Sequence, residues 1–118
     1  MIQANELRIG NWLEFDIYGS KWIGQIDHTD FEFIFDNDLR CANPIPLTEE
    51  WLLKFGFEQV YKSKMHSTYY LDGLSYSFWY DTKKQYANFR GVEFECEFAH
   101  ELQNLFFALR KQELTLNN

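Results

Sequence analysis

Three histidines and two cysteines have the greatest reach for chemistry in this 118-residue chain, and their spacing decides what they can do. A metal centre needs His, Cys or carboxylate ligands at short, repeated intervals. His28 and Asp30 form one close pair, two residues apart beside a turn; His66 and His100 are isolated, and neither cysteine has a neighbouring ligand. His28 therefore reads as a solvated loop histidine, and no metal or cofactor is expected. Nucleophilic catalysis needs a thiol or hydroxyl beside a base. Cys96 shares the apolar side of a strand pattern with Phe94 and Phe98 and reads as a small buried hydrophobe. Cys41 follows Arg40, but a cation activates a thiol by lying beside it in space, which sequence adjacency does not supply. His100 opens the last helical pattern beside Glu101, Gln103 and Asn104. It has the chemistry of a general base, but the plainer expectation is that it caps or packs at a strand–helix junction. Gln103 and Asn104 would then hydrogen-bond to loops. The six glycines are scattered singly, so no phosphate-cradling loop is present. No catalytic residue is expected.

The carboxylates are the stronger signal. Glu93, Glu95 and Glu97 alternate without exception with Val92, Phe94, Cys96 and Phe98, which on a strand sets the acids about 6.6–6.8 Å apart along one face. Asp27, Asp30, Glu32, Asp36 and Asp38 form a second set. Such faces keep a protein soluble. They also suit docking into a basic groove of a partner protein, such as one that normally holds nucleic acid, because complementary charge speeds and orients association. Direct binding of DNA or RNA is not expected, since 18 Asp and Glu face 11 Lys and Arg for a net charge of -7. Tyr69, Tyr70, Trp79 and Tyr86, with Lys83 and Lys84 nearby, form the neighbourhood closest to a single-strand stacking platform. Core and edge-strand packing is the expectation for them, because residues 60–118 carry balanced charge.

The elements that must position these groups follow from periodicity. Residues 7–15, 21–28 and 31–35 read as three short strands; residues 16–20, with Gly19, separate the first two, and Phe31, Phe33 and Phe35 alternate in the third. Asn43-Pro44-Ile45-Pro46 must be extended. A short helix follows, with Thr48 as N-cap, Glu49 and Glu50 in its first turn, Gly56 at the C′ position, and Leu47 and Leu52 at hydrophobic-staple spacing. Asp72-Gly73 predicts a hairpin between residues 68–71 and a strand carrying Leu74, Tyr76, Phe78 and Tyr80. Leu102, Leu105, Phe106 and Leu109 make the stripe of an amphipathic helix over residues 99–113, placed to lie on a sheet. The predicted class is α+β: an antiparallel unit over residues 1–43, the Pro segment and short helix over 44–56, and a meander plus C-terminal helix over 57–118, in one domain.

Aromatic content of 19% provides a core large enough to fold without disulfides or metal. No apolar run approaches the roughly 18 residues of a membrane span, and the first residues lack the layout of a signal peptide. A cytosolic protein with two reduced thiols is expected.

Three blocks stand in order along the chain: Asn5-Glu-Leu-Arg-Ile-Gly-Asn-Trp12, Pro44-Ile-Pro-Leu-Thr-Glu-Glu-Trp-Leu-Leu-Lys-Phe-Gly-Phe57 and His100-Glu-Leu-Gln-Asn-Leu-Phe-Phe-Ala-Leu109. Together they resemble a family of small uncharacterised proteins from phages and prophages of Bacteroidota. That family's last block more often reads Val-His-Gln-Leu-Gln-Asn-Leu-Tyr-Phe-Ala-Leu, from which Ala99, Glu101 and Phe106 depart. Arg110-Lys-Gln112 stands where the family commonly has Thr-Gly. The resemblance implies a mobile-element origin and a bacterial host cytosol, with no known activity. The leading expectation is a non-enzymatic, protein-binding module, in its most concrete form an inhibitor of a host defence nuclease of the anti-CRISPR type. Its acidic residues Asp27, Asp30, Glu32, Asp36, Asp38, Glu93, Glu95 and Glu97 would meet a basic, nucleic-acid-binding effector. The alternatives are a structural or accessory phage protein, and a small enzyme for which the sequence offers no constellation.

Overall fold

The computed structural model describes residues 7–17, 19–27 and 42–116. Its class is α+β: a three-stranded and a five-stranded antiparallel sheet, a short helix and a C-terminal helix. The strands are β1 (Trp12–Ile17), β2 (Ser20–Gln25), β3 (Ala42–Asn43), β4 (Glu58–Lys62), β5 (His66–Leu71), β6 (Leu74–Trp79), β7 (Gln85–Phe89) and β8 (Val92–Glu95). The helices are α1 (Glu49–Lys54) and α2 (Ala99–Arg110). Contacts group Met1–Pro46 with Phe98–Leu105 in one compact unit, and Leu47–Glu97 with Phe106–Asn118 in another.

In the first unit, β1 pairs with β2 from Trp12↔Gln25 to Ile17↔Ser20 and with β3 at Phe15↔Ala42. The first strand begins later than its hydrophobic pattern predicts, because residues 8–11 turn. Gly10 takes a left-handed φ of 98°, and the Asn11 side chain accepts from the Arg8 N–H at 2.6 Å. The strand expected over residues 31–35 lies outside the described residues. Leu13, Phe15, Ile26, Ile45 and Leu102 are buried here, together with Gln103. Gln103 is fully buried yet satisfied at both ends of its amide: its Nε2 donates to the Gly10 carbonyl at 2.9 Å and its Oε1 accepts from the Trp12 N–H at 2.8 Å. Asn104 accepts from both Arg8 Nε and Asn11 Nδ2 at 2.9 Å. The two amides of α2 thus bind the turn that precedes β1, as expected of them. Glu101, rather than His100, caps the helix: its carboxylate accepts from the Phe98 N–H at 3.1 Å. His100 is buried and its ring stacks on Phe98, 6.1 Å between centroids.

The second unit is a meander in the order β4-β5-β6-β7-β8. Its core holds Trp51, Leu52, Phe55, Phe57, Tyr69, Leu74, Tyr76, Phe78 and Phe106. The short helix has both predicted ends. Thr48 Oγ1 accepts from the Trp51 N–H at 3.3 Å. Past the C-cap Phe55, Gly56 adopts φ 95°, its N–H bonds Leu53 and the Phe57 N–H bonds Leu52, each at 3.0 Å. That is a Schellman motif, and its accompanying apolar pair, Leu52 and Phe57, is buried. α2 ends at Arg110, short of residue 113, because Lys111 takes the left-handed φ of 56° and returns its N–H to Phe107 at 2.8 Å. On α2, Leu102 and Phe106 are buried and Leu105 and Leu109 half-buried, so the predicted stripe is the helix's inner side. No helix among the described residues is long and apolar enough to cross a membrane.

Candidate partner-binding face

Register in the five-stranded sheet decides which side chains share a surface. Tyr70 pairs with Ser75, Ser75 with Asn88 and Asn88 with Glu93; in the next row Thr68, Ser77, Tyr86 and Glu95 are partners, and His66 pairs with Trp79. Directly paired residues point to the same side of a sheet. These rows therefore form one face, while Tyr69, Tyr76 and Ala87 point to the opposite, buried side. β4 adds Glu58 opposite Tyr70 and Tyr61 opposite Thr68, with a register shift between Gln59 and Tyr61. The outer face thus carries acids at both edge strands and rings and hydroxyls between them.

The rings are ordered. Tyr61 stacks on His66 with centroids 4.8 Å apart, and His66 stacks on Trp79 at 4.1 Å and 15°. The Trp79 indole N–H donates to Tyr86 Oη at 3.2 Å, and Lys84 Nζ lies 5.6 Å from the Tyr86 ring centroid. Thr68 and Ser77 hydroxyls bond across the strands at 3.1 Å. Of the aromatic neighbourhood seen in the sequence, Tyr70, Trp79 and Tyr86 lie on this face. Tyr69 does not; it is 1% exposed. Tyr61 and His66 join it unannounced. Counting back from the Asp72-Gly73 turn, with Leu71 opposite Leu74, places His66 opposite Trp79, so the hairpin signal contained that pairing.

Beside the sheet's end a cleft of about 270 Å³ is lined by Glu49, Phe78, Trp79, Tyr80, Lys83 and Gln85. Glu49, the first residue of α1, is its fixed anion. Tyr80 Oη stands 2.7 Å from Glu49 Oε1 and 2.8 Å from Ser67 Oγ, and Ser67 Oγ is 3.2 Å from the same carboxylate oxygen. The carboxylate only accepts, so both hydroxyl protons serve it best by pointing at Glu49. These bonds hold its carboxyl below the ordinary range, Tyr80 contributing most; desolvation opposes them, and Tyr69, Ser67 and the charge of Lys62 assist. The Tyr69 phenol is pushed up to about 12, by burial first and then by the Glu49 carboxylate it serves. Gln59 Nε2 donates to that phenol's oxygen at 3.0 Å.

Among the residues expected to meet a partner, Glu93 and Glu95 stand exposed on β8, on the outer face. Glu97 lies past the end of that strand, where its carbonyl accepts from the Leu47 N–H at 2.8 Å, and its side chain is exposed. Asp27 is exposed just after β2 in the first unit. Asp30, Glu32, Asp36 and Asp38, with His28 and Cys41, lie outside the described residues. Cys96 is buried, and its carbonyl accepts from the Tyr76 hydroxyl. Among the described residues no group of three or more His, Cys, Asp or Glu is placed to hold a metal ion. No family model, curated protein or solved structure matches the chain.

Proposed function

We propose that this chain is a non-enzymatic, protein-binding module whose working surface is the outer face of the five-stranded sheet, docking on a basic surface of a partner protein. One observation carries the proposal. Glu93 and Glu95 are exposed in register with Asn88 and Tyr86, so carboxylates border an ordered ring-and-hydroxyl surface instead of standing alone in solvent. Interfaces draw their energy from aromatic anchors and their steering from charge at the rim. In the mobile-element setting that the phage-protein resemblance implies, the concrete form is an inhibitor occupying the nucleic-acid groove of a host defence nuclease. The acidic set at Asp27, Asp30, Glu32, Asp36 and Asp38 is the second candidate surface.

The test is capture of partners by the tagged full chain from a Bacteroidota host lysate at low and high salt, followed by the double change Glu93→Lys and Glu95→Lys on the purified pair. A nucleic-acid-processing partner should be recovered, and its affinity should fall at least about tenfold on charge reversal and again at high salt. A partner that ignores both changes would move the surface elsewhere. A competing reading, an accessory phage protein that self-associates, has its own support: Val60 on the edge strand β4 and Met65 in the turn that follows it are 58% and 56% exposed. Sedimentation across a concentration series separates the two, since only the accessory reading expects salt-insensitive self-association.

A further inference from the structure

We infer that the cleft bounded by Glu49, Trp79 and Tyr80 is a receptor for a guanidinium group, taking one arginine side chain of the partner protein. The claim rests on the proposed basic partner for the source of the side chain, but the site itself is argued from its walls. A guanidinium is planar, permanently charged and weakly hydrated; it is recognised by a carboxylate together with aromatic surface. The cleft offers both, since Glu49 lines it together with Phe78, Trp79 and Tyr80. Elsewhere in the same unit the chain's own cations occupy its rings. Lys54 lies over Trp51 at 5.3 Å, Lys84 over Tyr86 at 5.6 Å and Arg90 over Phe89 at 5.2 Å.

The walls are fixed before any ligand arrives. Glu49 is tied to Tyr80 and Ser67, and the Gln85 amide donates to the Leu47 carbonyl at 3.0 Å. Trp79 is held by the His66 stack and by its bond to Tyr86. A site whose side chains are already immobilised loses little entropy on binding. Size points the same way. The cleft's 270 Å³ falls just below the roughly 300–1,000 Å³ of pockets that take drug-sized ligands, and suits a single side chain. Lys83, exposed at a left-handed turn position in the cleft lining, opposes a cation there, in addition to the charge of Lys62 that acts on Glu49. Removing Lys83 should tighten binding.

The experiment titrates the full chain, without any partner, with N-acetyl-arginine amide and follows the Trp79 indole N–H by ¹H–¹⁵N NMR. A saturable shift with a Kd on the order of 1 mM is expected, the scale of a ligand this small. The neutral isostere N-acetyl-citrulline amide should bind at least about tenfold more weakly, as should the arginine probe to Glu49→Gln; Lys83→Ala should bind more tightly. The citrulline arm uses the unaltered chain, so it stands even if Glu49→Gln fails to fold. Equal shifts from arginine and citrulline, or none at Trp79, overturn the assignment. Free arginine binding more tightly than the capped probe would make this a free-amino-acid site with Lys83 on the α-carboxylate, and would equally overturn it. Probe binding that persists while Glu93 and Glu95 prove irrelevant to a partner would retain the cleft and remove the docking face.

Discussion

At the scale of single residues, Glu49 and Gln103 carry the sharpest consequences. Folding lowers the Glu49 pKa below its ordinary value of 4.5, so the folded state binds that proton less readily than the unfolded chain. The stabilisation is therefore fully present above about pH 4.5 and disappears as pH falls through the lower folded value. Tyr80→Phe removes the largest of the hydrogen bonds responsible and should cost about 1 kcal/mol at pH 7, modest because the carboxylate is half-exposed. In urea unfolding, the gap between wild type and Tyr80→Phe should narrow as pH falls below about 4.5; a gap unchanged by pH would deny Glu49 its role. Tyr69 has the opposite sign. Its phenol is raised to about 12 from 10.0, so its contribution holds below pH 10 and is lost as pH climbs through the folded value. Absorbance titration should show a tyrosine step near pH 12, and Tyr69→Phe should diminish that step. Gln103 is a bonding problem rather than a charge problem. Gln103→Leu takes the acceptor from the Trp12 N–H and leaves the Gly10 carbonyl to the Gln25 amide, which bonds it at 3.0 Å, so the change should cost roughly 1–3 kcal/mol. Gln103→Glu keeps the acceptor facing Trp12 but sets a second acceptor against Gly10, so its loss relative to wild type should shrink in acid, where the protonated carboxyl can donate. The identity of both residues was visible in the sequence. Their partners were not: those of Gln103 lie more than ninety positions away and Tyr80 lies 31 from Glu49, and only the fold brings them together.

Elements were legible where local chemistry dictates backbone geometry. The short helix announces itself through Thr48 and Gly56, and the β5–β6 hairpin through Asp72-Gly73, whose φ values of 47° and 89° are those of a type I′ turn. A second turn of the same kind joins β7 to β8 at Arg90-Gly91, with φ 52° and 85° and Phe89 opposite Val92. That turn is harder to see in the sequence because arginine is a poor choice for its first position. A non-glycine residue with positive φ is strained unless, like Asn or Asp, its short side chain relieves the backbone. Arg90→Asn should therefore stabilise the protein by about 0.5–1 kcal/mol, provided the loss of the guanidinium from the Phe89 ring is smaller. Gly73→Ala should do the reverse. An added Cβ meets only Phe89 at an ordinary 3.6 Å, so the penalty of about 1–2 kcal/mol is one of backbone conformation alone. Thermal unfolding of the two variants should bracket wild type, and a neutral Gly73→Ala would refute the turn assignment. The late start of β1 was hidden because Gly10 enters left-handed geometry between the apolar residues Ile9 and Leu13, and the early end of α2 because Lys111, which takes the same geometry, is not a residue type that announces a helix stop.

At the scale of the whole molecule, net charge of -7 acts in two directions. It repels a like-charged neighbour and attracts a basic one, but it also pushes the folded chain against itself. Salt screens both effects over a Debye length of about 10 Å at 0.1 M. If the acidic outer face is a docking surface, raising ionic strength must weaken partner binding while leaving the fold as stable or more so. The two slopes should thus be opposed: binding falling with salt, the melting temperature rising by a few degrees between low and moderate NaCl. Opposed slopes distinguish electrostatic docking from simple salt-induced unfolding, which would drag both downward together. The pair Glu93→Gln and Glu95→Gln sharpens the comparison. These side chains face Asn88 and Tyr86 across the strands, not another acid, and lie about 6.6–6.8 Å from each other along β8. Neutralising them relieves little local repulsion, so stability should move by less than about 0.5 kcal/mol. Any larger fall in partner affinity then belongs to the interface. Composition alone pointed to the charge, and alternation in β8 to the face, but the rings those acids border came only with the register. A partner whose affinity survives the double neutralisation at low salt would show that the surface is merely solvated and that the working residues lie elsewhere.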